Sequence, residues 1–334
     1  MPTTVRRRQN PEENDLLRRL SERVVGQSRA LEQIVPYVQM FQAELSPEGR
    51  PAGVFLLLGP TGTGKTRTVE ALAEVLHGSH RNILKVDCGE FQMEHEVAKL
   101  IGAPPGYLGH RETTPMLTQQ KLGAIASERS GLALVLFDEI EKAAPSMTRL
   151  LLGVLDKAIL RLGDNTTVNF ERTLIFLTSN LGAREMRREM APDFGFEALR
   201  PARGEAAKLA AIGMGAVKRK FAPEFVNRID AVITYRPLNA ASLRVIVDQQ
   251  IAELERHIEN RLAERAFELF VAQEAREFLL EKGTSSEYGA RELKRTILRH
   301  LTQPLAAMVA GGKIEAGAEV RVAVEGDRLE IGVE

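Results

Sequence analysis

Five short apolar runs punctuate the first 235 positions: Val54–Leu58, Ile83–Val86, Leu132–Phe137, Leu174–Leu177 and Ala231–Thr234. Within them apolar residues largely follow one another instead of alternating with polar ones. That pattern predicts strands of a sheet buried on both faces. Between the first two runs, Val69, Leu72, Ala73 and Leu76 recur at helical spacing, and Gly78 closes the segment. The resulting strand, loop, helix and strand predict a parallel α/β domain.

Beyond Tyr235 the pattern changes. Residues 241–280 are charged and nearly free of Gly and Pro, and they read as helical. Leu243, Ile246, Val247, Ile251 and Leu254 form one apolar face. The last twenty residues turn to alternation: Val320, Val322 and Val324, then Leu329, Ile331 and Val333, around a Gly326-Asp327 turn. The expected organisation is a flexible leader over residues 1–15, a large nucleotide-binding domain over 16–236, and a small domain over 237–334. The small domain is expected to be mostly helical, with terminal strands.

Composition narrows the function classes. The 334 residues suffice for two domains. Aromatic residues make up 5% and Trp is absent, so the core must be mostly aliphatic. The 45 basic residues are balanced by 45 acidic ones, which weighs against a general nucleic-acid clamp. The one basic run, Arg6-Arg7-Arg8, reads as part of a solvated leader. A single cysteine, Cys88, cannot form an internal disulfide and favours a reducing compartment. No apolar run approaches membrane-span length, and the N-terminus has no signal-peptide core. These features together predict a cytoplasmic protein with no membrane partner.

The candidate chemistry sits at the ends of the apolar runs. Gly59, Pro60, Thr61, Gly62, Thr63, Gly64, Lys65 and Thr66 fit the phosphate-loop pattern G-x-x-x-x-G-K-[ST], between a strand and a helix as that motif requires. Its backbone N–H groups would wrap the phosphates of ATP, and Lys65 would reach the β- and γ-phosphates. The Thr66 hydroxyl would ligate Mg²⁺, and the following helix would offer its positive end to the anion. The strand Leu132–Phe137 runs into Asp138 and Glu139. Read alone these are either solvated acids closing a strand or a Walker-B pair. In the second reading Asp138 holds Mg²⁺ through water, and Glu139 polarises the attacking water. Asn180 ends another buried strand, either as a turn residue or as a hydrogen-bond partner of that water or of the γ-phosphate.

The order of these motifs resembles the Clp class of AAA+ protein unfoldases, and above all the second ATPase ring of ClpB, ClpA and ClpC. The likeness begins at Val24-Val25-Gly26-Gln27 and runs through Gly59–Thr66 to the segment Ile101–Gly109. It continues through Asp138–Ala143, Thr178–Gly182, Phe221–Asp230 and Tyr288–Arg295. The resemblance implies that Val25 and Gly26 lie against adenine and that Asn180 is the sensor-1 residue. It makes Arg228 an arginine finger acting in a neighbouring subunit's site, hence a homo-hexamer, and Arg291 a sensor-2 arginine touching the phosphates. It places Tyr107 on a pore loop that grips polypeptide. Phe194-Gly195-Phe196 stands where peptidase-coupled members carry a loop that docks on ClpP, although a loop tucked against its own domain fits those three residues as well. After Tyr107 the chain reads His110-Arg-Glu-Thr-Thr-Pro115, where the family has an acidic, Gly-rich stretch. The family's two-ring members also carry an N-terminal domain and a first ring. Only about 15 residues precede the core here, so recognition comes from elsewhere or the chain is an isolated ring. The implied function is an ATP-driven unfoldase or disaggregase without protease chemistry of its own. The alternative is a dedicated remodelling ATPase that acts on one partner without threading it.

Overall fold

The computed structural model describes residues 11–102, 114–190, 205–285 and 289–334. The chain divides into two compact units, residues 1–60 with 64–235, and residues 61–63 with 236–334.

The first unit carries seven strands among its described residues: β1 (Gly53–Leu58), β2 (Leu84–Asp87), β3 (Ala133–Asp138), β4 (Ile159–Arg161), β5 (Thr167–Asn169), β6 (Thr173–Ser179) and β7 (Ala231–Thr234). Five of them form one sheet in the order β2-β3-β6-β1-β7. Every pairing in it is parallel. The five apolar runs of the sequence are these five strands.

Alternate residues of each strand enter opposite layers, as a period of two dictates. Val54, Leu56, Leu58, Val135, Phe137, Ile175 and Leu177 face one core, with Met147, Leu151 and Val154 of the helix Pro145–Lys157. Phe55, Leu57, Leu134, Leu136, Leu174 and Phe176 face the other. That second core also takes Ile34 and Val38 from the helix Ser28–Gln42, and Val69, Leu72 and Leu76 from the helix Lys65–His77. Each such side chain removed from water contributes ~1.5–3 kcal/mol as an upper bound. The helix after β1 ends as expected, with Gly78 at its C-cap in the left-handed conformation.

Two features of this unit differ from the sequence reading. The leader expected through residue 15 is helical from Pro11 onward. Leu16 and Leu20 are buried in the second core, and Asp15 pairs with Arg18 at 2.7 Å, so burial and an i,i+3 ion pair recruit it. The short antiparallel ribbon β4–β5 was also not anticipated. Each of its strands buries only a central residue, Leu160 or Val168, too weak a periodic signal to read.

The second unit is built on the helix Ala240–Leu262, whose N-cap Asn239 accepts a 2.8 Å hydrogen bond from the Ser242 N–H. Leu243, Val247 and Ile251 are buried, with Ile246 and Leu254 packed beside them, which is the apolar face expected. The helical reading of residues 241–280 fails at β8 (Glu268–Val271). There Leu269 and Val271 are buried while Glu268 and Phe270 face out, and the strand pairs in parallel with β9 (Glu319–Glu325). Alternation over four residues was masked by the charged helices on either side. β9 pairs antiparallel with β10 (Arg328–Val333) around Gly326-Asp327. The helix Ala290–Ile297 buries Leu293 and Ile297.

Candidate functional site

Because β3, β6 and β1 are adjacent and parallel, their C-terminal ends open side by side. Ligands of open α/β sheets bind at that edge. Asp138 and Glu139 follow β3, Asn180 follows β6, and the loop from Gly59 follows β1. Three motifs dispersed along more than a hundred positions of sequence thus meet at one edge.

The loop after β1 departs tightly. Gly59 has a φ of 145°, and a Cβ built on it would lie 2.7 Å from the carbonyl oxygen of Tyr235. Any side chain there would collide with backbone. The Tyr235 N–H in turn donates to the Leu58 carbonyl at 2.7 Å. The Tyr235 hydroxyl is buried and 2.8 Å from Thr68 Oγ1. Gly64 caps the helix Lys65–His77 without any side-chain hydrogen bond. The N–H groups of its first turn therefore face the loop, as an anion requires.

Lys65 is only 8% exposed. Its Nζ donates to the carbonyls of Gly59 at 2.7 Å and Pro60 at 2.9 Å, and to Asn180 Oδ1 at 3.0 Å. Asn180 Nδ2 donates to Glu139 Oε1 at 3.0 Å. The Asn180 amide therefore bridges the lysine and the acid. Thr66, the second residue of the helix, is half-buried.

Two lysines and a threonine, whose roles the sequence reading missed, tune the acid pair. Lys85 Nζ lies 2.9 Å from Asp138 Oδ2, and Thr178 Oγ1 donates to Asp138 Oδ1. Burial pushes the Asp138 carboxyl up. The hydrogen bonds from Thr178 and Lys85, with the charges of Lys85 and Lys65, outweigh it and hold the group below its ordinary value. Lys142 pairs with Glu139, and that bond raises the Lys142 ammonium. Thr178 Oγ1 also accepts the Glu139 N–H at 3.0 Å. That contact matters because Glu139 has φ 56° and ψ 50°, a left-handed conformation costly for a residue with a side chain. A signal for Lys85 existed in the sequence: it sits three residues from the cysteine, in the apolar run that becomes β2. Nothing there, however, fixed which acid it would meet.

Cys88, just past β2, is buried. Burial first, and then the charges of Asp138, Asp87, Glu141 and Glu139, push its thiol up, so it stays protonated at neutral pH. Asp138 and the Thr66 hydroxyl supply the kind of oxygens that could hold Mg²⁺, an ion bound by one or two protein oxygens plus phosphates rather than by a protein cage. The described residues contain no cluster of three or more acids, His or Cys that could hold a metal ion.

The other expected residues are placed as follows. Val25, half-buried, and Gly26 lie on the turn between the helices Pro11–Ser21 and Ser28–Gln42. Arg228 comes just after the short helix Pro223–Val226. It donates to the Glu224 carbonyl and lies 3.4 Å from Asp156 at the end of the helix Pro145–Lys157. Arg291 is exposed in the first turn of the helix Ala290–Ile297, in the second unit. Tyr107 and Phe194-Gly195-Phe196 lie outside the described residues.

A phosphate loop and an acid pair on a parallel β2-β3-β6-β1-β7 sheet, followed by a helical unit, define a nucleotide-binding domain of the AAA+ type. Residues 50–232 match the family model "AAA domain (Cdc48 subfamily)", and residues 238–322 match "C-terminal, D2-small domain, of ClpB protein". The chain belongs to the AAA family, in its Clp branch. It is 39% identical to the chaperone protein ClpB of Pseudomonas putida over 94% of its own length and 34% of that protein's. It is 40% identical to ClpB of Corynebacterium diphtheriae over 91% and 32%. Among solved structures it resembles Saccharomyces cerevisiae Hsp104 in an extended casein complex, with a TM-score of 0.80 and 28% identity. That match covers 97% of this chain and 53% of Hsp104. A closed-state Hsp104 with ATPγS and FITC-casein gives a TM-score of 0.79. The chain thus spans about a third of the length of the curated relatives it matches.

Proposed function

We propose that this chain is an ATP-hydrolysing motor that unfolds or disaggregates protein. The observation that carries the reading is the Asn180 amide, bridging Lys65 at 3.0 Å and Glu139 at 3.0 Å. It links the residue that would reach the γ-phosphate to the residue that would activate water, so a change at one is felt at the other. Lys65 neutralises phosphate charge, Glu139 accepts the proton of the attacking water, and Asn180 orients that water. Thr66 and Asp138 hold Mg²⁺, which when bound supplies charge stabilisation at the transferring phosphoryl. Val25 and Gly26 contact adenine.

Arg228 completes the site of a neighbouring subunit in a homo-hexamer, and Arg291 ties the second unit to the nucleotide. Its tether to Asp156 costs Arg228 little, since a half-exposed ion pair is worth ~1 kcal/mol or less. Tyr107 grips the polypeptide. Action in the cytoplasm and docking of a ClpP-type peptidase through Phe194-Gly195-Phe196 belong to the same proposal, the latter resting on those three residues alone. The ClpB relatives and the casein-bound Hsp104 structures support a polypeptide substrate.

The test is ATP-dependent loss of fluorescence from a stably folded, tagged fluorescent protein, with Glu139→Gln and Tyr107→Ala in parallel. For a threading motor, both variants fail to abolish the fluorescence, and the second keeps ATP hydrolysis. Hydrolysis by the parent with fluorescence untouched would replace threading by dedicated remodelling of one partner, and absence of hydrolysis would end the reading.

A further inference from the structure

Glu141 has no part in the chemistry above, yet it sits in the middle of the site. The chain leaves β3 through the left-handed Glu139 and turns at once into a single 3-10 turn, Ile140–Lys142. Ile140 is fully buried and anchors that turn in the core below β3. The turn brings Glu139 and Glu141, which flank Ile140 in sequence, to the residue that follows β6. Glu141 Oε1 accepts the backbone N–H of Asn180 at 3.0 Å. Its Oε2 is buried and has no hydrogen-bond partner among the described residues. A carboxylate oxygen kept dry without a partner is unfavourable. A feature of that kind persists where the rest of the group is needed.

Resting on the hydrolytic reading above, we infer that Glu141 is a positioning residue: it clamps the main chain at Asn180 so that the Asn180 side chain spans Lys65 and Glu139. Two bonds converge on Asn180 from one short turn, the backbone N–H to Glu141 and the side-chain Nδ2 to Glu139. With both made, the peptide plane and the amide are set together, and Oδ1 is left to face the Lys65 ammonium. Without the first, the turn after β6 keeps its bond from Leu181 N–H to Ser179 Oγ at 3.1 Å, and the amide can rotate away. Glu141 itself accepts its hydrogen bond from the Asn180 main chain. It acts through Asn180.

The test is single-turnover ATP hydrolysis and nucleotide affinity in the full chain, for Glu141→Ala, Glu141→Gln, Asn180→Ala and the Glu141→Ala/Asn180→Ala pair. Misplacing a reacting group by about 1 Å can cost ~100-fold. Glu141→Ala should therefore slow hydrolysis by about tenfold to a hundredfold, with nucleotide affinity near the parent's. Glu141→Gln keeps an acceptor oxygen for the Asn180 N–H and should recover most of the rate. The pair should be no slower than Asn180→Ala alone, because a residue acting through that side chain has nothing left to position. Additive losses in the pair, or parental rates in Glu141→Ala, would overturn the assignment while leaving the hydrolytic reading intact. A Glu139→Gln variant with parental turnover would overturn both.

Discussion

Nζ of Lys65 lies 3.0 Å from Oδ1 of Asn180, a residue 115 positions further along the chain. The contact exists because β1 and β6 are neighbours in register, Leu58 beside Ser179, so that the residues after each strand emerge at the same height. It also separates two kinds of damage. Lys65→Ala removes the buried ammonium and should weaken ATP binding by about tenfold or more, read by titration of a fluorescent nucleotide. Asn180→Ala should leave affinity within a few-fold and lower kcat by about a hundredfold, the scale on which one preorganised polar group acts. Equal losses of affinity in both variants would dissolve the distinction.

Acid should expose the balance at Asp138. Its carboxyl is held below the ordinary value, so its native contacts contribute stability above the range where an unfolded aspartate titrates, and that contribution is lost as pH falls through the folded value. Thr178→Val removes one hydrogen bond to this carboxylate and the acceptor for the Glu139 N–H. We expect it to cost about 2 kcal/mol at neutral pH, with the gap to the parent narrowing below the usual carboxylate range to what the Glu139 N–H bond contributes. Urea unfolding across that range checks it; a gap that widens in acid would contradict the assigned balance.

Asp230 ties the outer strand β7 to the start of β1. Its carboxylate accepts from Arg50 at 2.7 Å and from the Val54 N–H at 2.8 Å, and its own N–H donates to the Val54 carbonyl at 2.9 Å. Asp230→Ala leaves the Val54 N–H without its acceptor and Arg50 without its ion pair, and should destabilise the fold by about 2–3 kcal/mol. Asp230→Asn keeps an acceptor and should recover roughly half of that. Thermal unfolding monitored by circular dichroism distinguishes them. Arg228 lies two positions away, so the alanine variant should also lower ATPase more than its stability loss explains.

How much of this was readable beforehand depends on how local each signal is. The strand β1, its phosphate loop and the helix Lys65–His77 were legible because burial on two faces, glycines and helical spacing all act within a few residues. Asp138, Glu139 and Asn180 were legible as strand termini. Lys85 and Thr178 were not legible as partners of Asp138, because which charges meet across a sheet depends on strand order, and β3 lies between β2 and β6. β8 was lost for the opposite reason. Its alternation, Glu268 out, Leu269 in, Phe270 out and Val271 in, is local but only four residues long, and helices of the same charged texture bracket it.

Glu139 adopts φ 56° with a full side chain. Were the chain shaped by folding alone, that position would fall to glycine or asparagine, which enter the left-handed region at little cost. Glu139→Gly should accordingly relax the backbone even as it removes the acid. Natural variation that drifted toward stability at position 139 would therefore drift away from work. The turn after β3 is thus a place where backbone economy and the proposed chemistry ask for different residues, and the glutamate that stands there answers the second.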